Sequence, residues 1–281
     1  MKINLAKSAG FCSGVKRAID IAFRTAASEK NVYMLGDIVH NEDVVRQIRK
    51  AGIKKIKRLL PGKNRALLIR AHGISLNTLR ATLKLGYKIF DATCPMVKEI
   101  HQIACDMEEK GYHVIVIGDK KHDEVQGIVG QLKGEATVID NLDSIPFKKI
   151  KCLKKACVVV QSTQNLENVL KIVSALKQHI SDLKFFNTVC KPTRLKQEEI
   201  KRMPLENDVM IIIGSKNSAN TKRLYEISHS INKRSFWVTS KKDIRRYWFK
   251  GAKNAGVTAG ASTPNYTTQE VMDYIKQITP A

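Results

Sequence analysis

Three cysteines, Cys12, Cys94 and Cys190, each close a short apolar or aromatic run (Ile3–Cys12, Lys88–Cys94 and Lys184–Cys190) and each lead into a helical sequence. Twenty-eight residues after each stand His40, His122 and Ser218, and two residues further on Glu42, Glu124 and Asn220. One supersecondary unit used three times would return a thiol and a polar group to the same place in every copy. Three thiolates that converge about a pseudo-threefold axis suit a [4Fe–4S] cluster with one iron not ligated by protein, or a single metal ion held by three sulfurs. An iron without a thiolate can bind a substrate oxygen as a Lewis acid. A lone free cysteine is often only a small core residue. Three at equivalent repeat positions favour the metal, whereas Cys105, Cys152 and Cys157 fall outside the repeat and read as ordinary packing residues.

The other candidate donors are His40, His72, His122, Ser162, Thr163, Ser218, Asn220 and Ser262, all at expected strand ends. Neutral donors next to helix N-termini form an anion cradle without one dominant lysine, and a diphosphate is its natural occupant. A Ser or Asn before a helix is also a common N-cap, and the two roles can coexist. Glu124 follows both a His and an Asp at a strand end. A carboxyl beside a cluster and a dehydrated anion pocket can be tuned to deliver protons; the same residue could equally be a first-turn glutamate favoured by the helix dipole.

Strands alternate with helical stretches to the end of the chain, which predicts α/β folding in three similar small parallel-sheet domains, residues 1–93, 94–189 and 190–281. The continuously apolar runs Val114–Ile117, Val158–Val160 and Met210–Ile213 fit strands covered on both faces. Ligands of such sheets bind beyond the carboxyl ends of the strands, where the cysteines, histidines and hydroxyls fall. Ile3–Leu5 is expected to open the first copy, and the helix after Cys190 to stop at Met203.

A hydrophobic content of 43% is that of a globular protein, and no apolar run reaches the roughly 20 residues of a membrane helix. The N-terminus lacks a signal-peptide core, so a cytoplasmic address with free or metal-bound thiols is expected. The net charge of +23 suits a polyanionic partner, but its basic residues are spread along the whole chain, as on a solvated surface. With only 6% aromatic residues and no aromatic–basic repeat, a nucleic-acid-binding module is disfavoured.

At these residues the chain closely resembles the 4-hydroxy-3-methylbut-2-enyl diphosphate reductase family, the last step of the methylerythritol phosphate route to isoprenoids. The matching motifs are Gly10-Phe-Cys12-Ser-Gly-Val15, Val39-His40-Asn41, Ala71-His72-Gly73, Asp91-Ala-Thr-Cys94-Pro95 and His122-Asp-Glu124-Val. Gln161-Ser-Thr163, Cys190-Lys-Pro-Thr193, Gly214-Ser-Lys-Asn-Ser218-Ala-Asn220 and Gly256-Val-Thr-Ala-Gly-Ala-Ser262 follow in order. The resemblance implies a pseudo-threefold trefoil around an oxygen-sensitive [4Fe–4S] cluster on Cys12, Cys94 and Cys190, with the substrate's hydroxyl at the iron that no cysteine holds. It further implies a diphosphate gripped by His40, His72, Ser218, Asn220 and Ser262 with His122 nearby. Glu124 would be the proton donor, with a hydroxyl of Ser162 or Thr163 to orient substrate and relay protons. Two electrons and two protons would give isopentenyl and dimethylallyl diphosphate, the electrons coming from a ferredoxin or flavodoxin-type partner and ultimately NADPH.

Three residues depart from the pattern of the family. Ser162 stands where Thr is usual, Ala219 replaces a second Ser, and Lys196 replaces an Arg, losing its planar fork. Quinolinate synthase and the diphthamide radical enzyme share a three-thiolate plan but not the His122-x-Glu124 and Ala71-His72-Gly73 pattern.

Overall fold

The computed structural model describes residues 1–61 and 64–279, so the last two residues of the third expected domain lie outside the described residues. The first elements are β1 (Lys2–Leu5), α1 (Ser13–Ser28), β2 (Val32–Leu35), α2 (Glu42–Lys50), β3 (Lys54–Ile56), β4 (Ala66–Ile69) and α3 (Leu76–Lys84). Next come β5 (Lys88–Asp91), α4 (Pro95–Glu109), β6 (His113–Ile117), α5 (Asp123–Val129), β7 (Thr137–Ile139), α6 (Phe147–Ile150), β8 (Lys155–Val160) and α7 (Leu166–Lys177). The last are β9 (Asp182–Phe185), α8 (Lys191–Glu206), β10 (Val209–Ile213), α9 (Ala219–Ile231), β11 (Ser235–Val238), β12 (Asn254–Ala259) and α10 (Asn265–Ile278).

These strands form three four-stranded parallel sheets of one topology, ordered β3-β2-β4-β5, β7-β6-β8-β9 and β11-β10-β12-β1. The chain divides into two compact units. One comprises Met1–Lys16, His40–Val45 and Lys191–Ala281 and holds the sheet of β10–β12 with β1; the other comprises Arg17–Val39 and Arg46–Cys190 and holds the other two sheets. β1 does not open a first-copy sheet as the sequence suggested. Ile3 lies opposite Ala255 and Leu5 opposite Val257 on β12. The strand leading to each cysteine therefore closes the sheet of the preceding copy, β5 beside β4, β9 beside β8 and β1 beside β12. The physical reason lies in the third strand of each sheet, whose buried backbone needs a partner on both edges.

The apolar runs are central strands. On the β6–β9 sheet, Val114, Val116 and Val159 pack under Ile100 and Ala104 of α4 and Val125 and Ile128 of α5. The alternate residues Ile115, Ile117, Val158 and Val160 face Val169, Ile172 and Leu176 of α7. Each such side chain contributes about 1.5–3 kcal/mol when fully buried. In the other unit, Met210 and Ile212 meet Ile200 and Leu224 of α8 and α9, while Ile211 and Ile213 meet Val271 and Ile275 of α10. Helix α8 continues past Met203 to Glu206 with Pro204 inside it. At its end the Met203 carbonyl accepts from Asn207 Nδ2 at 2.9 Å.

In every sheet the first strand has the second on one side and the third on the other. The crevice between β2 and β4, β6 and β8, or β10 and β12 is thus a topological switch point, where open parallel sheets bind ligands.

Candidate functional site

The three cysteines occupy one structural position three times. The Cys12 N–H donates to the Ala261 carbonyl at 3.1 Å, that of Cys94 to Ala71 at 3.0 Å and that of Cys190 to Ser162 at 3.1 Å. Each acceptor lies two residues beyond its third strand, inside a turn closed alike in each sheet: Gly73 N–H to Arg70, Gln164 to Gln161 and Thr263 to Gly260. All three thiols are reduced and half-buried, and each immediately precedes a helix. The Val15 N–H reaches Cys12 Sγ at 3.4 Å. Half-buried, unoxidised cysteines set identically before three helices fit a thiolate-held metal group. Cys157 is buried in β8, where burial pushes its thiol up to about 11, as expected of a packing residue.

Glu124 sits at the β6/β8 switch point. His122 caps α5, its Nδ1 accepting the Glu124 N–H at 3.1 Å, which leaves the proton of the neutral ring on Nε2. The Glu124 carboxyl is only 2% exposed and is held at both oxygens by one residue. The Ser162 N–H donates to Oε1 at 2.6 Å and the Ser162 hydroxyl to Oε2 at 2.9 Å. Burial pushes the Glu124 carboxyl above the usual carboxylate range, and the two Ser162 bonds pull against it. Of the two candidate hydroxyls, Ser162 therefore serves Glu124. Thr163 Oγ1 instead accepts from Gln161 Nε2 at 3.1 Å. In the same unit the His72 ring stands edge-on to that of His122, centroids 5.4 Å apart, and Arg70 pairs with Asp123 at 2.6 Å.

The other unit carries the Ser and Asn donors. Ser218 caps α9, its Oγ accepting the Thr221 N–H at 3.3 Å, so its own hydroxyl proton remains to be donated. Across the β10/β12 switch point, Asn220 Oδ1 accepts the Ala261 N–H at 2.9 Å. The buried Asn220 Nδ2 has no hydrogen-bond partner among the described residues, as an anion cradle requires. Ser262 Oγ donates to the His40 carbonyl at 3.0 Å, fixing the segment that carries that histidine. Ala219 is the first residue of α9 and can offer an anion only its N–H.

Sequence reasoning missed several supporting residues. Gln161 Oε1 accepts the Asp119 N–H at 2.9 Å and ties the ends of β6 and β8 together. Thr188 Oγ1 bonds both the N–H and the carbonyl of Val160, at 2.7 and 2.6 Å, ahead of Cys190. Glu199 of α8, together with Lys196, which the sequence marks only as a departure from the family pattern, holds the loop before Cys12.

A family model described as LytB protein matches residues 3–276. The 4-hydroxy-3-methylbut-2-enyl diphosphate reductase of Pelobacter propionicus is 38% identical over 278 residues, covering 99% of this chain and 99% of that protein. The enzyme of the same name from Aquifex aeolicus is 38% identical over 282 residues, covering 98% and 96%. Among solved structures, (E)-4-hydroxy-3-methyl-but-2-enyl diphosphate reductase, described as the terminal enzyme of the non-mevalonate pathway, matches with a TM-score of 0.72 and 36% identity over 99% of this chain and 100% of that one. The E-1-hydroxy-2-methyl-but-2-enyl-4-diphosphate reductase of Plasmodium falciparum matches with a TM-score of 0.92 and 27% identity, covering 99% of this chain and 88% of that one.

Proposed function

Because the chain belongs to the LytB protein family, we propose that it reduces 4-hydroxy-3-methylbut-2-enyl diphosphate to isopentenyl and dimethylallyl diphosphate, with Glu124 as the proton donor. It is an oxidoreductase of isoprenoid biosynthesis, and the family is one of iron–sulfur enzymes. Two electrons and two protons break the allylic C–O bond: one proton leaves with the hydroxyl as water, and the other ends on carbon. Cys12, Cys94 and Cys190 would hold a [4Fe–4S] cluster. When bound, such a cluster supplies electrons singly and offers a Lewis-acidic iron not ligated by protein.

The residues of the chain do the rest. Asn220 Nδ2 and the spare proton of Ser218 would donate to diphosphate oxygens, and His122 could donate from Nε2. His40, His72 and Ser262 complete the set, at the ends of their strands. The Ser162 N–H keeps Oε1 of Glu124 in place while Oε2 carries the transferable proton. Once Oε2 is protonated, the Ser162 hydroxyl, which donates to that oxygen at 2.9 Å when it is ionised, would turn to accept the proton and aim its own at the leaving oxygen. The electrons would come from a ferredoxin or flavodoxin-type protein reduced at the expense of NADPH.

The observation that carries this reading is a buried carboxyl gripped at both oxygens at a sheet switch point, where burial works against its ionised form. Replacing it tests the reading. Folded, iron-loaded Glu124→Gln protein should turn over the substrate at least about 100-fold more slowly with dithionite and a viologen dye. Because the acid form is the active one, wild-type turnover should fall as pH rises through the elevated pKa of Glu124. Undiminished turnover in the variant would remove Glu124 from the mechanism.

A further inference from the structure

We propose that Lys196, with Glu199 beside it on α8, is a positioning residue that fixes the turn carrying Cys12 and keeps a buried positive charge near its sulfur, raising the reduction potential of the group held there. The inference rests on Cys12 being a cluster ligand.

Between β1 and Cys12 the chain leaves the sheet, and its polar groups need partners. Helix α8 supplies both kinds. Glu199 takes the donors: the N–H of Lys7 at 2.6 Å, the N–H of Ser8 at 3.0 Å and the Ser8 hydroxyl at 2.5 Å. Lys196 takes the acceptors, its ammonium donating to the carbonyls of Ser8, Gly10 (3.1 Å) and Ala259 (3.0 Å). All three ammonium protons are thereby used, and the turn is stitched to the end of β12. The turn has little freedom of its own: Gly10 has φ +87°, and a Cβ there would lie 2.6 Å from Asn265 Oδ1.

A stitch alone would not need a charge in this place. Lys196 is 2% exposed and the three acceptors of its ammonium are neutral carbonyls, so little water screens its charge. Burial pulls the amine down to about 8, with Cys12 and Glu199 opposing that fall, so it stays cationic at neutral pH. A fixed cation stabilises the reduced, more negative state of a thiolate-bound cluster, one of the levers that set such potentials.

The test compares Lys196→Met and Lys196→Arg holoenzymes, purified anaerobically, by iron and sulfide content and by redox titration of the cluster. Lys196→Met should retain the cluster but lower its reduced-to-oxidised ratio at fixed poise about tenfold, a midpoint shift of about −60 mV for one electron. Lys196→Arg, which keeps the charge, should titrate near the wild type. Glu199→Gln is half-exposed, and removing its charge should move the midpoint the opposite way, an outcome readable even if Lys196→Met fails to fold. A loaded Lys196→Met or Glu199→Gln protein with the wild-type midpoint would overturn the electrostatic role alone. Absence of iron and sulfide from the wild type would overturn it together with the cluster reading.

Discussion

Ser162 bonds both oxygens of Glu124, yet from the sequence it was one of two adjacent hydroxyls with no means of choosing between them. Spacing placed Glu124 at a strand end but left it two roles, helix-start residue or acid. Burial, which no single residue type encodes, favours the acid. Ser162→Ala deletes the bond to Oε2 and keeps the one to Oε1. The variant also loses the hydroxyl that would pass the proton on, so turnover should fall about tenfold or more. Because the lost bond was holding the carboxyl down, the alkaline limb of the pH–rate profile should move to higher pH. Ser162→Thr should restore both. An unchanged profile and rate in Ser162→Ala would separate this hydroxyl from the chemistry. Lys196 teaches the same lesson: the sequence marks it as a lysine in place of an arginine, and only the fold reveals three carbonyls around its ammonium.

At the scale of elements, the central strands were legible because runs such as Val114–Ile117 and Met210–Ile213 have one explanation, burial on both faces. The edge strands β3, β7 and β11 were not. β3 opens with Lys54 and Lys55, and Thr137–Ile139 and Ser235–Val238, three and four residues long, are too short to establish an alternation. Nor could periodicity reveal that each cysteine strand closes the sheet before it, a long-range pairing that any of the three sheets could have offered. The turn after β4 has its own constraint. Gly73 has φ +76°, and a Cβ there would meet His101 Cε1 at 2.9 Å, so Gly73→Ala should cost about 1–3 kcal/mol in chemical denaturation and displace the neighbouring His72. His101 is half-buried on α4, and its Nε2, itself buried, has no partner among the described residues. Desolvation lowers its pKa from 6.5 to about 4, so the folded state holds it neutral where the unfolded chain takes up a proton. The stabilisation is fully present above pH 6.5 and is lost as pH falls toward 4, by up to about 3 kcal/mol. Denaturation midpoints of His101→Gln should accordingly depend less on pH across that window than those of the wild type; equal slopes would refute the shift.

For the molecule as a whole, the three sheets share one topology and one cysteine position, and both recur in the 28-residue spacing of the sequence. No helix among the described residues is long and apolar enough to cross a membrane. The net charge of +23 offers no base-stacking repeat, but it would attract an acidic electron-transfer protein. Reduction by such a donor should slow steeply with added salt, while reduction by dithionite should not; salt-indifferent rates would leave the charge without a part in electron delivery.

Reduction of an allylic diphosphate at an iron–sulfur group would require Cys12, Cys94 and Cys190 to hold that group. Anaerobic iron and sulfide analysis, coupled to turnover of 4-hydroxy-3-methylbut-2-enyl diphosphate with dithionite and a viologen dye, measures this most directly. About four iron and four sulfide per chain, active in the wild type and lost from Cys94→Ser, are expected. Metal-free protein that still reduces the substrate, or a Cys94→Ser chain with an undiminished iron–sulfur chromophore, would contradict it.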